Sequence, residues 1–327
     1  MRQRMRHAIT IALVVAGSWS ALAQAPSNPA LLVPQQVAPL DYVAVPDAVT
    51  LPPGAQMGAP AAVAFDSRGH LYVLSRGTLA LWEFDPEGRF VRSFGEGLTT
   101  RSHGLHIDDE GNFWITDVGS HTVLKIGADG QVLMTLGVKG EAGVWDEGTG
   151  SRRLNQPNDV TVTRAGDVFV AQGHTPGAQG DPRVLRFDRN GKLVRSWGGK
   201  GTGPGTFDVA HGIAVDAKGL VWVMDRENQR IQIFDADGGF VRQLTYAGLP
   251  CGVDIGSDAI YMVNGFAGQI VKLDLDGTPV AAVGRPGKGL GEFGEAHFIA
   301  VSPKGELFVA DTVSRVLHKF VPSPSRR

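Results

Sequence analysis

Three of the nine histidines in this chain stand at the head of one recurring pattern. His103 opens HGLHIDDEGNFWITD, His211 opens HGIAVDAKGLVWVMD, and His297 opens HFIAVSPKGELFVAD. Three imidazoles brought to one point would hold a divalent ion and leave positions for water or substrate, as in catalytic zinc sites. Each pattern closes on a carboxylate fourteen residues later: Asp117, Asp225 and Asp311. These would either orient the ligand rings from behind or cap the turn that follows the strand. The next position in the repeat holds Arg76 in one copy and Arg226 in another. A guanidinium offers a fixed fork of donors suited to a carboxylate, so two of them beside a metal point to an anionic substrate.

These residues meet only if the elements carrying them are arranged in a ring. Three further copies of the pattern lack the histidine: AAVAFDSRGHLYVLS from Ala61, NDVTVTRAGDVFVAQ from Asn158 and CGVDIGSDAIYMVN from Cys251. Each copy has an alternating apolar run, a turn with Gly or Asp, and a second run rich in β-branched and aromatic residues. Most continue into a third strand (RVLRF, RIQIF) and a fourth (KLVRSWG, GFVRQLT). Four antiparallel strands repeated six times predict a six-bladed β-propeller, all-β, over 58–321. The residue just before each first strand then sits at one mouth of the central tunnel. Around the ring it reads Ala61, His103, Asn158, His211, Cys251, His297. Histidine falls on every second blade, about 120° apart, so the three rings converge on the axis. His70, His106, His121 and His318 fall in turns or within strands and read as packed or solvated side chains.

The ends and the composition set bounds on this picture. Residues 1–23 carry Arg2, Arg4 and Arg6, an apolar run and the small-residue site Ala21-Leu22-Ala23, which reads as a secretory signal peptide and a periplasmic or secreted product. Cys251 is the lone cysteine, so a large apolar core rather than a disulfide must hold the fold. A net charge of −2, with no long basic run, leaves no electrostatic footprint for nucleic acid. Nothing after the leader is apolar enough to embed in a membrane, and a monomer is expected. The sixth copy lacks a fourth strand. The Pro-rich strap over 24–57 is expected to close the ring by pairing DYVAVP (41–46) there, leaving a disordered tail at 322–327.

The stretches SRG (75–77), HGLHIDDEGNFWITD (103–117), QPNDVTV (156–162), AHGIAV with DRENQRIQIF (210–215, 225–234), VNG (263–265) and AHFIAVSPKGELFVAD (296–311) resemble an NHL-repeat propeller. More narrowly, they are similar to the peptidyl-α-hydroxyglycine α-amidating lyases. The resemblance implies cleavage of a hemiaminal C–N bond to an amide and glyoxylate, at zinc held by His103, His211 and His297. It places the two active-site arginines at Arg76 and Arg226. Three departures stand out. His174 occupies the place of a catalytic tyrosine, Glu295 that of a methionine, and Phe298 that of an aspartate at a structural calcium, whose site is thus degraded. His174 or Glu295 is left as the base. Two other readings stay open: a metal-dependent hydrolase or lyase on another small carboxylated substrate, and a non-catalytic propeller that binds a protein or glycan partner.

Overall fold

The computed structural model describes residues 26–176 and 180–324. The expected leader and the last three residues therefore lie outside the described set. Five four-stranded sheets and one five-stranded sheet follow one another around an axis, giving six blades. Their innermost strands are Ala59–Phe65, Ser102–Ile107, Pro157–Val162, Ala210–Val215, Pro250–Ile255 and Ala296–Val301. Blades are numbered one to six in that order. Among the described residues, no helix is long and apolar enough to cross a membrane.

The inner hairpins are fixed by local chemistry. In blade two, Asp108 Oδ1 accepts from the backbone N–H groups of Glu110 and Asn112, and Asp108 Oδ2 accepts from Trp114 Nε1 at 3.0 Å. Asp216 does the same in blade four with Lys218, Leu220 and Trp222. Gly111 completes the first turn at φ +81°, a left-handed conformation that costs glycine little. Period-2 alternation then sends apolar side chains into layers between blades. Phe169, Ala171 and Val184 of blade three, for example, pack on Ile213, Val221 and Val223 of blade four.

The N-terminal strap closes the ring as the alternation and the missing strand require. Tyr42–Val45 pairs antiparallel with Val316–Pro322 as the outer strand of blade six, with Tyr42 opposite Pro322. Tyr42 Oη also donates to the Gly305 carbonyl at 2.8 Å. Ala38–Pro39 adds a short parallel strand to the outer edge of blade five. The last strand runs on through Pro322, and the N–H of Ser323 donates to the Asp41 carbonyl, so order extends into the segment expected to be a tail.

A β-bulge recurs in every inner strand. Ala210 pairs with Asp225 and Gly212 with Met224, so His211 has no partner in the ladder. Likewise Ala296 and Phe298 flank His297, and Pro157 and Asp159 flank Asn158. The same one-residue excess occurs in blades one, two and five. A bulge bends the strand and re-aims the extra side chain. Here it puts each axial residue at the tunnel mouth and resets the alternation behind it.

Candidate metal centre

The bulge brings the predicted histidines together. Ring centroids lie 4.8 Å apart for His103 and His211, 4.5 Å for His103 and His297, and 5.1 Å for His211 and His297. Each Nδ1 meets a backbone carbonyl of the next blade. His103 pairs with Asn158 O at 2.7 Å, His211 with Cys251 O at 3.1 Å, and His297 with Ala61 O at 2.7 Å. A carbonyl can only accept, so Nδ1 carries the proton and Nε2 presents its lone pair. The Nε2 atoms of His103 and His211 are buried with no hydrogen-bond partner among the described residues. Buried polar atoms are rarely left so, and an imidazole with its second nitrogen tied to a carbonyl is the usual form of a metal ligand. The donor set suits a borderline divalent ion such as zinc.

Glycine lets the blades approach closely enough for these bonds. A Cβ at Gly212 would stand 2.4 Å from Cys251 O, and one at Gly104 would stand 2.8 Å from Asn158 O. Both carbonyls are the acceptors of the preceding imidazole. Burial, with positive neighbours next, lowers all three imidazoles well below the ordinary histidine range, so they stay neutral near pH 7.

His174 joins the same cluster from the loop after the second strand of blade three. Its ring centroid is 4.8 Å from that of His103 and 6.1 Å from that of His211. The ring nitrogens available in His103, His174 and His211 fall within 4.8 Å of one another. His174 differs from the axial three in having no backbone acceptor on either nitrogen among the described residues. Its neighbours hold it in place. Gln156 Oε1 accepts from both the N–H and the hydroxyl of Thr175, at 3.0 and 2.7 Å. Burial and then Arg226, Arg101 and Arg76 lower its pKa as well.

Among the described residues, the three carboxylates do not touch the three axial imidazoles; Asp311 instead lies 3.4 Å from His318 Nε2. Asp117 accepts from the N–H groups of Thr100, Arg101 and Gly119 and from the Ser120 hydroxyl. Although burial opposes it, these bonds hold its carboxyl below the usual range. Asp225 takes Asp208 N, and Asp311 takes Gly294 N and Glu295 N. Blades three and five do the same job with amides: Gln172 accepts from Asn155 N, and Asn264 accepts from Leu249 N. The acids therefore cap the loop entering each inner strand, and the histidines are oriented by backbone carbonyls instead. A carbonyl leaves no residue-type signature, which is why the sequence offered the acids as candidates.

Above the imidazoles lies a cavity of about 300 Å³ lined by Arg76, Arg101, His174, Arg226, Glu295 and His297, among others. Arg76 Nε donates to Ser102 O at 3.1 Å. Burial, then the neighbouring Arg101, lower its guanidinium to about 10, so it remains a cation at neutral pH. Arg226 is engaged differently, donating through Nε and an Nη to Glu227 Oε1 at 3.0 and 2.6 Å. Glu295 Oε2 accepts from the Thr312 hydroxyl at 2.5 Å. Phe298 packs against the imidazoles from the side of the tunnel, stacked on His211 at 5.6 Å and edge-on to His297 at 4.9 Å. An apolar ring at this place cannot hold calcium through its side chain.

Arg101 escaped the repeat comparison. It stands two residues before His103, where the other copies have Ala59, Gln156, Val209, Leu249 and Glu295. His106 lies, with Asp159 and Asp254, in a second cavity at the far side of Phe298. Leu105, by contrast, is buried in an inter-blade core, consistent with the alternation being reset by the bulge.

An NHL-repeat family model matches residues 207–234, the stretch holding His211, Asp225 and Arg226. Peptidyl-glycine alpha-amidating monooxygenase A of Xenopus laevis is 32% identical over 259 residues, 73% of this chain and 26% of that protein. The chain thus spans about a quarter of that relative's length. "Probable peptidyl-alpha-hydroxyglycine alpha-amidating lyase pgal-1" of Caenorhabditis elegans is 36% identical over 170 residues, 51% of this chain and 45% of the relative. NHL repeat-containing protein 3 of Mus musculus is 29% identical over 296 residues, 82% of this chain and 81% of the relative. Among solved structures, a gluconolactonase from Xanthomonas campestris has a TM-score of 0.60 at 18% identity, covering 82% of this chain and 87% of its own, and so shares the fold.

Proposed function

We propose that this chain, an NHL-repeat six-bladed β-propeller resembling the peptidyl-α-hydroxyglycine α-amidating lyases, is a metal-dependent carbon–nitrogen lyase that splits a hemiaminal into an amide and glyoxylate. The observation that carries the reading is the three axial imidazoles. Their Nδ1 atoms are all tied to backbone carbonyls, and they stand beneath a cavity that holds guanidinium groups. A divalent ion such as zinc, when held by His103, His211 and His297, supplies Lewis acidity that makes a hydroxyl easier to deprotonate. Arg76 grips the carboxylate at the hydroxyglycine end. His174, neutral and free of backbone acceptors among the described residues, takes the hydroxyl proton on a ring nitrogen. As the carbonyl of glyoxylate forms, the C–N bond breaks and its electron pair goes to the amide nitrogen. His174 returns the proton there, so no net proton is consumed. Glu295 faces the same cavity as the second candidate for that proton. The leader expected at 1–23 makes the periplasm or the exterior the place of work.

The test pairs two measurements on purified protein. Bound metal is counted, and glyoxylate release from an α-hydroxyglycine-terminated peptide is followed, with His103→Ala alongside. The reading expects stoichiometric metal and glyoxylate release that His103→Ala abolishes. Metal without glyoxylate would favour a hydrolase or lyase on another small carboxylated substrate. Neither metal nor glyoxylate would leave a binding propeller, the outcome best matched by the likeness to NHL repeat-containing protein 3, which covers 82% of this chain and 81% of the relative.

A further inference from the structure

The segment 100–103 is fastened to the end of the second strand of blade one at two points. Ser102 Oγ donates to the Ser75 carbonyl at 2.9 Å, and Arg76 Nε donates to the Ser102 carbonyl at 3.1 Å. Asp117 grips the same segment from behind through Arg101 N at 2.7 Å. Arg101 is therefore carried on a rigid backbone moored to Arg76, and both side chains line the cavity over the imidazoles. The cavity's two carboxylates are each engaged through one oxygen by another group. Glu227 pairs with Arg226, and Glu295 accepts from Thr312. Among the described residues, neither Arg76 nor Arg101 has a carboxylate within salt-bridge distance, and the Arg101 guanidinium has no hydrogen-bond acceptor. Glu295 offsets both cations only through space, without a salt bridge, so two like charges held partly out of water still lack a directly bonded anion, and a ligand carboxylate would supply one. Arg226 already has such an anion, so it is the less available partner for a ligand.

We infer that Arg101 and Arg76 together form the carboxylate-binding fork of this site, with Arg101 as a specificity-determining residue, while Arg226 serves to hold Glu227. This rests on the lyase reading only for the identity of the substrate; a small 2-oxo or 2-hydroxy carboxylate would be gripped the same way. One carboxylate has two oxygens and about four acceptor directions, enough for two guanidinium forks. The arrangement selects a free acid over its ester or amide, because the neutral forms leave two cations unpaired.

The test uses the full chain loaded with metal, with glyoxylate as the probe, in the wild type, Arg101→Met and Arg101→Lys. Metal content and melting temperature are checked in all three to show that the fold and the imidazoles are intact. Arg101→Met should weaken glyoxylate binding, measured by calorimetry, about 10- to 100-fold. It should raise KM for a hydroxyglycine peptide acid by a similar factor, leave the methyl ester little changed, and leave kcat for the acid nearly unaltered. Arg101→Lys should recover part of the loss. Equal weakening of acid and ester, unchanged glyoxylate binding in Arg101→Met, or no carboxylate binding by the wild type would overturn the inference. Arg101-dependent glyoxylate binding without turnover would leave it standing and sink the lyase reading. Turnover indifferent to Arg101 would do the reverse.

Discussion

Blades two, four and six each present an imidazole at the bulge, whereas blades one, three and five present Ala61, Asn158 and Cys251 there. The backbone device is the same in all six, but the two sets sit at opposite ends of the same hydrogen bonds. The histidine blades provide Nδ1, and the others provide the carbonyl that accepts it. Two of the latter also reach forward along the tunnel. Asp159 Oδ2 accepts from Ile213 N at 3.0 Å, and Asp254 Oδ2 accepts from Val301 N at 2.7 Å, each tying down the inner strand of the following histidine blade. A metal site with threefold character can thus be built on a sixfold ring. Half of the repeats present the candidate ligands, and the other half supply the carbonyls that fix their tautomer and direction.

The largest break in that division comes from removing a ligand. His297→Ala should empty the site of metal and bring glyoxylate release down to background, measured by metal analysis and turnover. Next in size, Gly212→Ala puts a Cβ where Cys251 O now stands, 2.4 Å away. It should push the blades apart and weaken metal binding by about 10- to 100-fold in a chelator competition. Gly203→Ala, whose Cβ would meet only Thr206 Oγ1 at 4.0 Å, is its control and should change nothing.

A pH series probes the odd blades. Burial raises Asp159 to about 8, outweighing the N–H groups of Ile213 and Val160 that favour its charged form. A carboxyl raised above its unfolded value of about 3.9 contributes stability that is fully present below that pH and lost as pH rises through about 8. The wild type should therefore lose stability relative to Asp159→Asn between about pH 4 and 8, read from urea midpoints. A difference that stays constant over that window would show that the group is buried as its anion. The smallest effect belongs to Asn158→Ala. It keeps the carbonyl that holds His103 and loses only the Nδ2 bond to Ala210 O. Metal content should be unchanged and stability lower by about 1 kcal/mol. Lost metal would mean that the side chain, and not the backbone, does the positioning.

The legible residues were those whose position the repeat makes equivalent. His103, His211 and His297 recur at one offset, so counting blades around the ring was enough to bring them to the axis. Arg101 was not legible because its offset carries a different residue in every copy, whereas Arg76 and Arg226 share theirs. The acids at 117, 225 and 311 recur just as strictly, yet their work is to hold backbone amides of the preceding loop. Equivalent offsets therefore show that residues share a place, and leave open which neighbours they touch there.

Turn glycines, alternating apolar runs and the missing sixth outer strand are local signals, and they determined the propeller, its six blades and its closure by residues 42–45. The alternate-blade histidines followed from the same periodicity. What the tertiary structure decided was everything that depends on contacts between blades. These are the carbonyls that orient the imidazoles, the arrival of His174 from a loop beside His103, and the mooring of Arg76 to the segment that carries Arg101. Their physical cause is close approach across the axis. It brings together backbone atoms and side chains from different blades, 40 residues apart for His211 and Cys251 and 55 for His103 and Asn158, and no local pattern of residue types encodes those contacts.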